Sequence, residues 1–194
     1  MSSVWQNNKL LRKWEEKNFK KNANGDFNYN LAYPFEDPLL KAIAKSLNVK
    51  DDFIYVGAGI SQFINTIVGL EMWENVILPD IEFSLYKRTA ILHKKNLILI
   101  NGIYVSDFID NLKKIKTTKN DLLCISSPRW FNGEIFTKKE IEKILNFYKG
   151  TLIIDEAYID YSDYESGMLD ICMKNDRVIL FRSFSKKFFA SGYR

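Results

Sequence analysis

Leu152-Ile153-Ile154-Asp155-Glu156-Ala157-Tyr158 is the stretch on which the fold class turns. Three apolar residues, two of them β-branched, run without alternation into a pair of carboxylates. A strand with one wet face alternates polar and apolar side chains, whereas a strand buried on both faces of a parallel sheet does not. A carboxylate at the tip of such a strand is costly unless something positive faces it or water reaches it. A cationic ring nitrogen is one partner that would explain it.

The same compact run recurs on either side: Phe53-Ile54-Tyr55-Val56, Val76-Ile77-Leu78, Leu97-Ile98-Leu99-Ile100, Leu122-Leu123-Cys124-Ile125 and Val178-Ile179-Leu180-Phe181. Between the runs lie helical patterns over 38–47, 61–70, 83–92, 107–115 and 137–148. The last opens on Thr137-Lys-Lys-Glu140, the spacing of a capping box. Six strands alternating with helices predict an α/β fold, a mostly parallel sheet flanked by helices. Residues 1–32 are polar and read as an N-terminal arm, with Leu10, Leu11 and Trp14 at helical spacing and a turn over 22–26. Residues 33–194 read as one domain.

Composition sets the outer limits. Of 194 residues 46% are hydrophobic, enough for a packed core and too many for a disordered chain. The net charge of +4 is too thin and scattered to argue for nucleic acid. Cys124 and Cys172 form neither a metal-ligand spacing nor a disulfide framework, and with His93 as the single histidine a zinc site or a Ser-His-Asp triad is not expected. No run approaches the roughly 20 apolar residues of a membrane helix, and no secretory leader is visible, so a cytoplasmic protein is expected. His93 reads as a surface residue, Cys124 as a core thiol, and Trp5, Trp14 and Trp73 as packing residues.

In parallel sheets ligands bind beyond the carboxyl ends of the strands. Three loops there carry unusual residues. Gly57-Ala58-Gly59-Ile60-Ser61-Gln62 leads into a helix and offers free amides to an anion. It also resembles a dinucleotide fingerprint with Gln62 in place of the third glycine and Asp80 after the next strand. Asp155-Glu156-Ala157-Tyr158 follows the fifth run. Arg182-Ser183-Phe184-Ser185-Lys186-Lys187 follows the sixth, continuing to Gly192-Tyr193-Arg194. Hydroxyls with an arginine make a phosphate cradle, and a lysine in an apolar pocket near other cations becomes a usable nucleophile.

Together these loops resemble the pyridoxal-phosphate enzymes of the aspartate-aminotransferase fold, nearest the histidinol-phosphate aminotransferase family. Ser183-Phe-Ser-Lys186 with Arg194, Asp155-Glu-Ala-Tyr158, Tyr33-Pro34 and Pro79-Asp-Ile-Glu-Phe-Ser-Leu-Tyr86 are similar to that family's motifs over about residues 28–194. The resemblance implies pyridoxal 5'-phosphate as cofactor and Lys186 as the Schiff-base lysine and proton carrier, with Lys187 a bystander. It implies Asp155 paired with the pyridinium nitrogen, Tyr158 on the ring's phenolate oxygen and Phe83 stacked on the ring. Gly59, Ile60, Ser61, Ser183, Ser185 and Arg194 would hold the phosphate. Tyr33 would reach the cofactor of a second subunit, which implies a homodimer.

One departure stands out. The family's Asn-Pro-Asn-Asn-Pro-Thr-Gly loop is here Ser127-Pro128-Arg129-Trp130-Phe131-Asn132-Gly133, which sets Trp130 where the ring-bonding asparagine falls unless a shift brings Asn132 there. An aminotransferase acting on a small phosphorylated amino or keto compound is the leading expectation. A decarboxylase of a phosphorylated amino acid, a nucleotide-binding domain and a non-catalytic relative are the alternatives. Family members continue well past the lysine motif, so the chain is expected to be truncated, without the small C-terminal domain.

Overall fold

The computed structural model describes residues 38–162 and 167–187. They fall into two compact units that part between Val56 and Gly57.

In the first unit helix α1 runs over Pro38–Leu47. It closes through Asn48, whose φ of 54° lets Val49 N–H turn back 3.0 Å to the Ala44 carbonyl. Asparagine tolerates this left-handed position better than most residues. A short 3-10 turn follows at Asp51–Phe53. Here the first expected strand fails. Phe53-Ile54-Tyr55-Val56 is no part of the sheet, and Phe53 and Tyr55 are 62% and 82% exposed. The Ile54 amide closes the turn on the Asp51 carbonyl, which takes the start of the run out of strand geometry. Four apolar residues carry no periodicity that separates a covered strand from an open one.

The second unit opens with α2 (Ile60–Gly69). There follow β1 (Asn75–Pro79), α3 (Ser84–Leu92), β2 (Asn96–Ile100), α4 (Val105–Leu112), β3 (Asp121–Ser126) and α5 (Lys138–Phe147). Then come β4 (Thr151–Asp155), a 3-10 turn (Ile159–Tyr161), α6 (Leu169–Lys174) and β5 (Val178–Phe181). The five strands pair in parallel in the order β2-β1-β3-β4-β5. The other five expected strands are therefore present, and all pairs are parallel.

The absence of alternation has its cause in two apolar layers. Val76, Leu78, Leu122, Cys124, Ile153 and Phe181 point to a core shared with Ile64 and Val68 of α2 and Tyr86 and Ala90 of α3. Their neighbours Ile77, Leu123, Ile125, Leu152 and Ile154 point to the opposite core, closed by α4, α5 and α6. The α4 helix begins two residues before its expected start, because Val105, Phe108, Ile109 and Leu112 form its buried stripe. Thr137 caps α5 as expected: its hydroxyl accepts from the Glu140 amide while Glu140 accepts from the Thr137 amide. The six-residue α6 is too short to leave a periodic signal, and the sequence did not reveal it.

Polar side chains mark the opposite end of the sheet. Asn96 donates to Asn75 at 2.5 Å and Asn75 donates to Asp121 at 2.6 Å, across paired positions of β2, β1 and β3. This ladder fixes the register, since a one-residue slip would send every side chain to the wrong layer. No described helix is long and apolar enough to cross a membrane.

Candidate active site

Strand order reverses between β1 and β3, and the site is built on the carboxyl ends next to that crevice. Ser126 and Asp155 are register partners there, as are Asp155 and Phe181. Asp155 is buried. Its Oδ2 accepts the phenol of Tyr86 at 2.9 Å and its Oδ1 accepts the Ala157 amide at 3.0 Å. Burial pushes its carboxyl up to about 6, against the pull of those two donors. The Tyr86 phenol is itself pushed well up, first by burial and then by the neighbouring Asp155.

Glu82, between β1 and α3, occupies the crevice. Its carboxylate accepts the amide of Ser126 at 2.9 Å, the Ser126 hydroxyl, and the Phe83 amide at 2.7 Å. Burial raises its pKa, and the Ser126 hydroxyl is the first of the contacts that oppose the rise. Phe83, held by this anchor, is half exposed and meets the Tyr86 ring edge-on at 6.5 Å. Phe83, Tyr86 and Asp155 thus form one contiguous group.

The loops after β4 and β5 converge. Lys186 is exposed rather than enclosed in an apolar pocket, with its ammonium 5.1 Å from the ring centre of Tyr158. Lys187 turns to Asp160, 3.7 Å away. The Ser185 amide donates to the Ser183 hydroxyl at 3.1 Å, a local turn that sets both hydroxyls at the base of the lysine.

At the start of α2, Gly59 has φ 83°, a conformation that favours glycine and frees the helix's first amides. Phe63, one turn on, lies 5.9 Å from Phe181, the last residue of β5. The first turn of α2 and the loop carrying Ser183 and Ser185 thus both adjoin Phe181. The dinucleotide reading loses its context here. The glycine turn does not follow a strand of the sheet, and the side-chain Oε1 of Gln62 accepts the Ala58 amide at 2.6 Å. Asp80 only caps the neighbouring Ile81 amide.

In the loop after β3 the side chains split. Trp130 is 53% exposed, whereas Arg129 is 2% exposed and forks onto the carbonyls of Ile103 and Gly102 at 2.6 and 2.9 Å. Its guanidinium lies 4.6 Å over Phe131. Asn132 donates to the same Ile103 carbonyl at 3.2 Å, so its amide serves the loop. Tyr33 and Arg194 lie outside the described residues. Elsewhere His93 is exposed, Cys124 is buried within β3, and Trp73 is buried with its indole N–H on the Ile67 carbonyl at 2.7 Å.

Three residues lay within the motifs quoted from sequence but were given no role there: Tyr86, Glu82 and Glu156. Tyr86 ends the segment that carries Glu82 and Phe83, and Glu156 follows Asp155 directly.

The carboxyl end of the sheet thus carries a buried strand-end carboxylate, an amine over a tyrosine ring and an exposed aromatic. The family profile described as aminotransferase class I and II matches residues 3–194, and the chain belongs to that family. The histidinol-phosphate aminotransferase of Methanococcus aeolicus is 29% identical over 167 residues, 83% of this chain and 45% of the relative. Among solved structures, the histidinol-phosphate aminotransferase of Clostridium acetobutylicum superposes with a TM-score of 0.68 at 25% identity, over 80% of this chain and 47% of that one. The Sinorhizobium meliloti histidinol-phosphate aminotransferase, solved in complex with pyridoxal-5'-phosphate, has a TM-score of 0.69 at 18% identity over 80% and 46%, a likeness of fold. The chain spans under half the length of these relatives.

Proposed function

We propose that this chain is the cofactor-binding part of a pyridoxal-phosphate-dependent aminotransferase acting on a small phosphorylated amino or keto compound, in the manner of histidinol-phosphate aminotransferases. The observation that carries the reading is Asp155: a carboxyl driven up to about 6 by burial, yet supplied with donors, suits a cationic ring nitrogen opposite it. The donor set fits the cofactor. Asp155 would hold its ring nitrogen, Phe83 would cover a ring face, and Tyr158 would bond its phenolic oxygen. The first turn of α2 (Gly59, Ile60, Ser61) with Ser183, Ser185 and Arg194 would hold its phosphate. When bound, pyridoxal phosphate supplies an electron sink for bond breaking at the substrate α-carbon.

The protein's own part is positional and protonic. Lys186 would hold the cofactor through its amine and would carry the proton at the substrate α-carbon. Tyr86 keeps Asp155 oriented and favours its ionised form. On the same reading the working protein is a cytoplasmic homodimer in which Tyr33 reaches across to the partner's cofactor.

The test is spectroscopic. The purified protein mixed with pyridoxal phosphate is expected to turn yellow and, after borohydride, to carry an adduct on the peptide containing Lys186 that is missing from Lys186→Ala. A protein that stays colourless and unlabelled overturns the reading. With phosphorylated amino acids as substrates, a keto product is expected, and release of carbon dioxide instead would make the enzyme a decarboxylase.

A further inference from the structure

Asp155 has a neighbour whose carboxylate the chemistry above does not use. Glu156 is 1% exposed, as deeply buried as any acid in the second unit's described residues. Its Oε2 accepts from Nε of Arg182 at 2.8 Å and its Oε1 accepts the Met168 amide at 2.6 Å. Gly167, at φ 51°, presses on the same carboxylate, where a Cβ would collide with both oxygens. The Glu156 amide donates to the Phe181 carbonyl at 2.8 Å, so backbone and side chain bind the same partner segment.

Arg182 is the first residue after β5 and stands four places before Lys186. The Glu156–Arg182 pair therefore joins the loop that carries Asp155 and Tyr158 to the loop that carries Ser183, Ser185 and Lys186. Glu156 is buried while the Arg182 side chain is 31% exposed, and such a half-buried ion pair adds little net stability, because desolvation of the carboxylate offsets an attraction that solvent screens. What such a pair does supply is a fixed geometry between two segments.

We propose that Glu156 and Arg182 are positioning residues: their ion pair braces the two loops and sets the reach of Lys186 toward Tyr158 and Asp155. The proposal rests on the reading of Lys186 as the amine that takes up the cofactor.

The experiment follows the rate at which pyridoxal phosphate becomes borohydride-trapped on Lys186, by peptide mapping, with thermal melting recorded for each protein. Arg182→Ala strands a buried charge and is compared with Arg182→Lys. The double change Glu156→Gln with Arg182→Met keeps an acceptor for Met168 and removes both charges, so it decides the matter should Arg182→Ala fail to fold. Trapping is expected to slow by roughly 10- to 100-fold in Arg182→Ala and in the double variant, the range for losing an orienting partner. Arg182→Lys is expected to recover most of the rate, and the double variant to melt close to the wild type. A folded double variant that traps at the wild-type rate, or an Arg182→Lys no faster than Arg182→Ala, overturns the brace. A wild-type protein that forms no adduct on Lys186 overturns the functional reading instead, and the role of the pair in it.

Discussion

The phenolic oxygen of Tyr86 donates to Oδ2 of Asp155 at 2.9 Å, tying the first turn of α3 to the last residue of β4. Phe83 rests edge-on against the same tyrosine. One side chain thus places both the acid and the exposed aromatic of the cleft.

Tyr86→Phe keeps the ring and removes that one donor. A hydrogen bond to a charged acceptor contributes about 1.5–3 kcal/mol, so affinity for pyridoxal phosphate is expected to fall roughly 10- to 100-fold. Titration of the visible band checks it. An unchanged dissociation constant would show that Tyr86 does not support the ionised carboxylate.

Asp155 also gives the cofactor-free protein a pH signature. Its carboxyl is raised by burial from 3.8 to about 6. Well below its unfolded value of 3.8 the group is protonated in folded and unfolded chains alike. As pH rises toward 6 the unfolded chain ionises first, so stability falls across that window and levels off above it, by roughly 3 kcal/mol in all. Asp155→Asn is expected to remove this slope and to melt higher than the wild type at pH 7. Melting curves of both proteins between pH 4 and pH 7.5 decide it, and parallel profiles would contradict the assignment.

Trp130 and Arg129 are adjacent in sequence and opposite in exposure. Trp130→Asn is expected to change stability by no more than about 0.5 kcal/mol while shifting the absorbance of the bound cofactor. Arg129→Met removes the guanidinium donors from the Gly102 and Ile103 carbonyls, leaving Ile103 with Asn132 alone, and is expected to cost about 2–4 kcal/mol. Denaturant unfolding separates the two. Equal losses would mean that Trp130 is buried in solution.

Thr137→Ala breaks the capping box of α5. The expected loss is about 1 kcal/mol, read as a fall in Tm of roughly 2–4 °C for a domain of this size. A Tm within half a degree of the wild type would show that the α5 start is held by packing alone.

Much of this fold was legible because strands buried on both faces read as unbroken apolar runs. Val76-Ile77-Leu78 and Leu152-Ile153-Ile154 feed two cores at once. Phe53-Ile54-Tyr55-Val56 has the same composition without the covering layers, and composition alone does not report what covers a residue. The α6 helix escaped for want of length. At the site, Asp155, Tyr158 and Lys186 were legible as strand-end groups and motif positions. The bonds of Tyr86 and Glu82 were not, since their partners Asp155 and Ser126 lie 69 and 44 residues away. An unbroken motif says which residues are present, and the sheet's register says which of them meet.

Asp155 and Glu156 carry the same functional group and face different tasks, one toward the cleft and one toward Arg182. Chemically the dipeptide is symmetric, so neither net charge nor composition distinguishes it from its reverse. Only the count of residues from Thr151 to the strand end does. A single-residue deletion in β4 would set Glu156, with its longer side chain, at the strand end in place of Asp155, and a single-residue insertion would set Ile154 there. Strand length is therefore under as tight a constraint as residue identity, and the protein's ability to accept sequence change in β4 is limited to substitution.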